Sequence, residues 1–366
     1  MTRLPQLRDQ KEGHKTLIAF MYALLADCLG ILWMIHPSSG IVHGLVATVL
    51  AIHGRIIAAY LVHEAAHDSV FVESWANRYM GIASIWLAGC PYCNFDHIRK
   101  MHIAHHRDRT DLVEFDYRSF VQSSPGIVKT LCCVGEYCFI PIVETFMHLR
   151  QALGPLFIGI LLPQYNQYFD PERIKSAGIG TTFQLAFYLF MWHHNALFWQ
   201  LVCGAMMLHI LAFGDAFHHT YDAVFPQYYT PGPGNRTAQY EEENTYSNLI
   251  SISFPQLNLL NLNFGYHNAH HKRPMVPWYR LPSYHDKLYP TSNVIRSKVE
   301  GSAESEITLA EYACPQILSL KDIFASWHRH RLRRVLEEDY GEVHPLGAID
   351  RARDFVGTLG ASFLTV

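Results

Sequence analysis

Long apolar runs separated by short polar turns dominate the first 213 residues of the chain. The runs 16–35 and 41–62 are each long enough to cross about 30 Å of bilayer hydrocarbon as a helix. A second pair, 178–192 and 196–213, flanks a turn formed by His193, His194 and Asn195. This pattern predicts an all-α integral membrane protein with four transmembrane helices in two hairpins.

Shorter apolar runs lie between and around these hairpins. The runs 79–92 and 152–163 are too short to span a bilayer, so we expect interfacial or re-entrant segments. Residues 125–150 mix charged with apolar positions, and Pro141 interrupts them, which predicts a pair of surface helices.

The composition agrees with a membrane environment. Of the 366 residues, 49% are hydrophobic and only 17% are charged, whereas a soluble domain carries about 25% charged residues. The formal net charge of -3 gives no basic excess for neutralising phosphates, so a nucleic-acid partner is not expected.

The positions of Lys and Arg predict the orientation. Four of them precede the first run, Arg173 and Lys175 precede the third, and the two hairpin turns contain none. Because cytoplasmic segments carry the positive excess, both termini should be cytosolic. The predicted organisation is a cytosolic tail (1–15), a membrane catalytic domain (16–290) and a cytosolic extension (291–366).

Several polar residues in or near the apolar runs have a structural interpretation. Asp27 and Arg55 lie within the first two runs, where a charge costs about 3 kcal/mol, so we expect an ion pair within the hairpin or snorkelling rather than substrate contact. Cys90 and Cys93 form a C-x-x-C without a βαβ pattern, and are interpreted as cysteines ending an apolar segment. The basic amphipathic stretch 318–338 is interpreted as a solvated helix, with surface docking as the alternative.

Histidine is the most unusual component of the sequence, with 23 residues, many of them in clusters. The second run closes with H-E-A-A-H, whose two imidazoles at i and i+4 lie on one helix face. Two H-x-x-H-H clusters follow at 102–106 and 267–271, and D-A-F-H-H occupies 215–219. Nine imidazoles exceed what one metal ion binds, so two ions are implied; imidazole suits zinc, copper, iron or nickel. The candidate ligands are His63, His67, His102, His105, His106, one of His218 and His219, His267, His270 and His271.

The predicted topology supports a common centre. All four clusters lie at the cytosolic ends of the second and fourth spans or in segments that follow them. His193 and His194 are predicted on the opposite face and are excluded. The isolated histidines are interpreted as packing or surface residues, and His97 is the first of them to reconsider.

In these motifs the chain resembles the membrane-bound fatty-acid desaturase superfamily, over roughly residues 16–290. The resemblance implies an all-α fold with a cytosolic helical cap that holds a histidine-bound di-iron centre, which activates dioxygen. It favours His219 over His218 as the ninth ligand, because in the family this ligand follows an Asn or Asp by four residues, and it places Asp215 beside an iron. The matching segments are H-E-A-A-H at 63–67, H-I-A-H-H at 102–106, D-A-F-H-H-T at 215–220, E-N-T-Y-S-N at 243–248, N-F-G-Y at 263–266, H-N-A-H-H at 267–271 and P-W-Y-R-L-P at 277–282.

The activity that the resemblance implies is oxygen-dependent desaturation of a fatty-acyl or related lipid chain held between the spans. Removing hydrogen from an sp³ carbon needs a metal-derived oxidant, since no side-chain base deprotonates an alkane. The sequence shows no G-x-G-x-x-G and no haem-binding signature, so an external electron donor such as cytochrome b5 or a ferredoxin is expected. The membrane would be the endoplasmic reticulum in a eukaryote or the inner membrane in a bacterium.

Three alternatives stay open at this point. A hydroxylase, acetylenase or ketolase would use the same histidines with a different outcome. An intramembrane zinc metalloprotease would use His63, Glu64 and His67, but it leaves both H-x-x-H-H clusters unexplained. A non-catalytic receptor that retains the clusters is the third.

Overall fold

The computed structural model describes residues 4–36, 40–112, 117–161, 171–219, 236–289, 317–336 and 362–365. The chain divides into two compact units. The first unit contains Met1–Ala104, Phe139–Ala212 and Ser362–Val366, and the second contains His105–Cys138 and Phe213–Ala361.

Helices make up most of the described chain. The helices are α1 (His14–Met34), α2 (Ile41–Ala66), α3 (Ser74–Leu87), α4 (Phe95–Asp108), α5 (Tyr117–Ser123), α6 (Gly126–Cys138), α7 (Ile142–Leu161), α8 (Pro171–His193), α9 (Leu197–Asp215), α10 (Ala238–Glu243), α11 (His267–Lys272), α12 (Leu281–Leu288), α13 (Leu320–His330) and α14 (Arg333–Leu336). The strands are β1 (Ser247–Leu249) and β2 (Ile317–Ser319), and 3₁₀ turns occupy Pro255–Asn261, Trp278–Arg280 and Phe363–Thr365.

In the first unit, α1 and α2 pack closely because small residues line their contact. A Cβ added at Gly30 of α1 would lie 2.8 Å from the carbonyl oxygen of Ala47 and from the Cβ of Ala51. A Cβ added at Gly54 of α2 would lie 2.8 Å from the carbonyl oxygen of Ala23. Small residues of this kind let two helix backbones approach each other in an apolar environment.

A buried ion pair joins the same two helices. Nε of Arg55 donates to Oδ1 of Asp27 at 2.7 Å, and both residues are buried. Nη2 of Arg55 also donates to Oε1 of Gln200 in α9, at 3.0 Å. The expected ion pair within the hairpin is therefore confirmed.

Three of the described helices, α1, α2 and α9, are long and apolar enough to cross a membrane, and the number becomes four if the bent pair α6 and α7 counts as one span. These three helices cover the predicted spans 16–35, 41–62 and 196–213. The run 178–192 lies in α8, which fails this criterion because glycines, threonines and Gln184 dilute its apolar residues. The two-hairpin arrangement stays a prediction, and positions 37–39 of the first turn lie outside the described residues.

The segment between the hairpins is helical on both sides of Pro141. Helix α6 ends at Cys138 and α7 begins at Ile142, so the predicted break is confirmed. The described part of the run 152–163 is not a separate element, because α7 continues through Pro155 to Leu161, and residues 162 and 163 lie outside the described chain.

Residues near the end of the chain pack into the first unit. The ring centroid of Phe363 lies 6.2 Å from that of Tyr60 and 6.1 Å from that of His63. The carbonyl oxygen of Leu364 accepts a hydrogen bond from Sγ of Cys93 at 3.4 Å. Most of the predicted extension 291–366 lies outside the described residues.

The second unit contains a small parallel sheet, which corrects the prediction of an all-α fold. Strand β1 pairs with β2 in the register Ser247↔Ile317 to Leu249↔Ser319. Strands of three residues are too short to show the alternation that identifies a strand in sequence. The fold is therefore mostly helical rather than purely α.

Helix α13 follows β2 directly and begins with a capping box between Ser319 and Asp322. Its side chains Ile323 and Trp327 are buried with Phe217 and Tyr246 in the core of the second unit. The interpretation of 318–338 as a solvated helix is therefore wrong for this face of α13; residues 337 and 338 lie outside the described chain.

Candidate metal centre

The end of α2 fixes two histidines of the first unit. Asp68 has φ +52°, a left-handed conformation, and the amides of Asp68 and Ser69 donate to the carbonyls of Ala65 and Glu64. This is the hydrogen-bond pattern of a Schellman motif, which terminates a helix sharply. His63 therefore lies on the last turn of α2, and His67 caps it.

Helix α4 is tied to this helix end by an ion pair. Nη2 of Arg99 donates to Oδ2 of Asp68 at 2.5 Å. His102 lies one turn after Arg99, and its Nε2 is 2.7 Å from Nε2 of His67. The three rings of His63, His67 and His102 form a triangle with centroid separations of 4.5 to 4.7 Å.

The second unit contains a group of four histidines from three separate segments. Nε2 of His219 lies 3.1 Å from Nε2 of His105 and 3.1 Å from Nε2 of His267. Nε2 of His271 lies 3.0 Å from Nε2 of His267. One nitrogen from each of the four rings is within 4.8 Å of the others.

Hydrogen bonds on the outer side of these rings set their tautomers. Nδ1 of His105 lies 2.6 Å from the carbonyl oxygen of Thr110, and Nδ1 of His271 lies 3.0 Å from Oε1 of Glu241. Both oxygens only accept, so the ring proton is on Nδ1 in each case. Nδ1 of His219 contacts Oγ1 of Thr245 at 3.2 Å, and this hydroxyl already donates to the Glu241 carbonyl oxygen.

Three of the four Nε2 atoms therefore direct lone pairs at one another. Lone pairs at this separation repel unless a cation lies between them, and imidazole nitrogens with an outer hydrogen bond are the usual form of a metal ligand. Two nitrogens at ~2.1 Å from one ion are ~3.0 Å apart at a right angle and ~3.4 Å apart at the tetrahedral angle. The observed separations of 3.0 and 3.1 Å fit the right-angled arrangement.

A further histidine pair lies in the second unit. Nε2 of His106 is 3.0 Å from Nε2 of His270, and the ring centroids are 4.7 Å apart. The structure thus places every predicted histidine ligand against at least one other.

His218 and Asp215 occupy a different position from these groups. The ring of His218 stacks flat on that of His267, with centroids 3.9 Å apart and planes at 11°. Nδ1 of His218 lies 3.7 Å from Oδ1 of Asp215. Neither residue belongs to the histidine groups found among the described residues, and the preference for His219 as ligand and the role of Asp215 stay predictions.

Several buried histidines of the second unit have lowered pKa values. Burial, together with smaller contributions from neighbouring histidines, lowers the pKa of His105 to about 3 and that of His218 to about 3. The pKa values of His219 and His267 are also well below the ordinary value, chiefly through burial. A neutral imidazole has the free lone pair that a metal requires.

Glu241 is a site residue that the sequence reasoning missed. Its Oε1 accepts from His271, and its Oε2 lies 3.2 Å from Nε of Arg109. Burial raises the pKa of Glu241, but the hydrogen bond from His271 and the nearby charges outweigh it, so this pKa lies below its ordinary value. The only signal in the sequence is the run of three glutamates, 241–243, the last of which begins the E-N-T-Y-S-N segment.

The backbone before the H-N-A-H-H segment at 267–271 also depends on β1. The amide of Asn248 donates to the carbonyl oxygen of Gly265 at 2.7 Å, and a Cβ at Gly265 would lie 2.1 Å from the Asn248 carbonyl oxygen. Only glycine permits this approach. It brings α11, with His267, His270 and His271, next to the strand.

The excluded histidines lie outside these groups. His193 and His194 are exposed at the turn after α8. His97 is buried on α4 but belongs to neither histidine group of the described chain.

Comparisons with known proteins agree with this site. The family model "Fatty acid desaturase" matches residues 39–294. Sphingolipid delta(4)-desaturase DES1 of Bos taurus is 26% identical over 241 residues, which cover 62% of each chain. The human protein of the same name is 23% identical over 304 residues, covering 79% of this chain and 81% of that protein.

A relative whose name gives a different activity matches over a greater share of its own length. Beta-carotene ketolase of Paracoccus sp. is 27% identical over 275 residues, covering 72% of this chain and 88% of the ketolase. The family match covers well over half of the chain and includes all four histidine segments. This chain therefore belongs to the fatty acid desaturase family.

Proposed function

We propose that the chain oxidises a lipid chain with dioxygen at a histidine-bound pair of iron ions, and that the product is a new double bond. The observation that carries the proposal is the convergence of Nε2 atoms in the four-histidine group, three of which are left unprotonated by an outer hydrogen bond at Nδ1. Family membership supports iron among the metals that imidazole suits.

The proposed ligands are the nine histidines identified from the sequence. His105, His219, His267 and His271, all in the second unit, would bind one of the two ions. When bound, an iron pair supplies the reductive activation of dioxygen that removes hydrogen from an unactivated carbon.

The residues around the ligands have identifiable tasks. Glu241 holds the Nδ1 proton of His271, and the Thr110 carbonyl holds that of His105, so each Nε2 stays available to a metal. Asp215 would act through His218, whose ring stacks on the ligand His267. Burial of the rings keeps bulk water from the reacting atoms.

The remaining parts of the proposal follow from the membrane helices and the chemistry. The substrate would be a lipid that enters from the bilayer, and two electrons would come from a separate donor such as cytochrome b5 or a ferredoxin. The metal centre and both termini would be cytosolic, at the endoplasmic reticulum or a bacterial inner membrane.

Ketolation is the second candidate, because the ketolase from Paracoccus matches over 88% of its length. Hydroxylation and acetylenation would use the same ligands. A zinc protease requires Glu64 as a general base at the metal, but Oε2 of Glu64 accepts a hydrogen bond from Oγ of Ser69 at 2.8 Å.

Expression of the full chain in yeast, with mass spectrometry of the extracted lipids, tests the proposal. Desaturation removes two hydrogens, hydroxylation adds one oxygen, and ketolation adds oxygen while removing two hydrogens. The His270→Ala variant should lose the product and iron, whereas His193→Ala, which changes an exposed histidine, should keep both. Purified chain with zinc and no iron, or product formation by His270→Ala, would contradict the proposal.

A further inference from the structure

A cavity of about 500 Å³ lies within the first unit, and none of the proposed histidine ligands lines it. Its walls come from α7, α8 and α9 and are mostly apolar, with Leu149, Leu153 and Leu208 among the lining residues. This volume is within the ordinary range of small-molecule sites. Apolar walls in a membrane protein suit a hydrocarbon chain.

One side of the cavity is polar. Arg55, Gln184, Tyr188 and Gln200 line it together with the apolar walls. Arg55 and Gln200 are almost completely buried, although both lie in helices apolar enough to cross a membrane. Polar groups at such depth are costly and generally have a function.

The partners of these groups define what they can still bind. Arg55 has five N–H donors and no acceptor. Nε donates to Oδ1 of Asp27, and Nη2 donates to Oε1 of Gln200. The amide oxygen of Gln200 therefore already accepts a hydrogen bond. What Arg55 and Gln200 can still offer to a ligand is therefore N–H donors, from the amide of Gln200 and the rest of the guanidinium.

The charge of the polar side is balanced. The guanidinium of Arg55 is paired with Asp27 at 2.7 Å, so a second carboxylate would be left without a countercharge. A matching ligand group accepts hydrogen bonds and is neutral. Hydroxyl and carbonyl oxygens meet both conditions, and a free carboxylate does not.

We propose that this cavity binds a hydrocarbon chain carrying a neutral oxygen acceptor, a hydroxyl or a carbonyl. Arg55 precedes His63 by eight positions on α2, which is about 12 Å along the helix at 1.5 Å per residue. The identification of this ligand as the substrate rests on the proposed function. The cavity would then select oxygen-bearing lipids over plain saturated chains by holding the oxygen at a set depth.

Equilibrium binding to the purified full chain in detergent tests the inference without turnover. The probes share 16 carbons: hexadecan-1-ol, hexadecan-2-one, hexadecane and hexadecanoate. The readout is the saturable rise in the thermal unfolding midpoint with probe concentration. We expect the alcohol and the ketone to bind about fivefold more tightly than the alkane and the acid, since one buried hydrogen bond contributes ~1 kcal/mol. The alcohol and ketone arms separate the two kinds of oxygen.

Two variants locate the site. A Cβ at Gly204, on the cavity wall, would meet no atom within 4 Å, so Gly204→Met fills the cavity without a clash and should abolish binding. Gln200→Met keeps the side-chain size but removes the amide donors, and should reduce the preference for the alcohol over the alkane, because only the N–H groups of Arg55 remain. Gly178→Met on α8 is the matched control, because a Cβ there meets only Leu156 at 3.6 Å and Gly178 does not line the cavity.

Equal binding of alkane and alcohol, tightest binding of hexadecanoate, or unchanged binding by Gly204→Met would each overturn the inference. These outcomes are independent of the lipid products in yeast. Absence of products with the alcohol preference intact would reject the proposed function but retain the binding site. Lipid products without the alcohol preference would reject the binding site but retain the proposed function.

Discussion

Replacing Glu241 with Gln should weaken metal binding, although this residue is not a proposed ligand. The carboxylate accepts from Nδ1 of His271 at 3.0 Å and also lies 3.2 Å from Nε of Arg109. A hydrogen bond to a charged acceptor contributes ~1.5–3 kcal/mol and a neutral one ~0.5–1.5 kcal/mol, so the substitution removes about 1–1.5 kcal/mol. At ~1.4 kcal/mol per factor of ten, this corresponds to about tenfold weaker metal retention, which is within the range for residues that support metal ligands.

The adjacent residue provides the control for this variant. Glu242 is on the same short helix, its side chain is 51% exposed, and it pairs with Nζ of Lys272 at 2.5 Å. A surface pair of this kind contributes ~0–1 kcal/mol, so Glu242→Gln should leave metal binding unchanged. The assay is the iron remaining per chain during challenge of the purified protein with a chelator. Equal retention by wild type and Glu241→Gln, or equal loss in both variants, would refute the reasoning.

Three further predictions concern stability, each read from the thermal unfolding midpoint in detergent. Arg55→Leu leaves Asp27 buried and unpaired and should cost about 3–5 kcal/mol, whereas the double variant Asp27→Leu/Arg55→Leu should recover most of the loss; a double variant as unstable as the single one would contradict this. In the metal-free protein, His105 and His218 have folded pKa values of about 3 against an unfolded value of ~6.5. Their contribution is complete above pH ~6.5 and declines as the pH falls toward ~3, so a midpoint that is constant from pH 7 to 5 would argue against buried neutral rings. Gly54→Ala places a Cβ 2.8 Å from a carbonyl oxygen of α1 and should cost about 1–3 kcal/mol, while Gly40→Ala, where a Cβ meets nothing within 4 Å, should be nearly neutral.

The features that the sequence predicted well are those encoded by local spacing. The H-x-x-H-H clusters place their imidazoles on one side of a helix whatever surrounds them, so the groups at α4 and α11 were recognisable. Pro141 breaks a helix for a reason internal to its own backbone. The pairing of Asp27 with Arg55 followed from the cost of isolated charges in an apolar run.

The features that the sequence did not predict depend on contacts between distant segments. Glu241 is 30 positions from His271, and no pattern in its neighbourhood marks it as the carboxylate that orients this ring. The burial of Trp327 on α13 follows from the core formed with Phe217 and Tyr246. The packing of Phe363 against His63 joins positions 300 apart. Such pairings are set by tertiary structure rather than by local periodicity.

The ion pair between α1 and α2 also constrains how the protein is made. Asp27 and Arg55 are separated by 28 positions, so α1 is synthesised before its partner charge exists. If α1 moved alone from the translocon into lipid, its aspartate would oppose that step by about 3 kcal/mol. Release of the two helices together, with the charges already joined and Gly30 and Gly54 already in contact with the opposite helix, avoids this barrier. We therefore expect α1 and α2 to enter the membrane as a pair rather than one after the other.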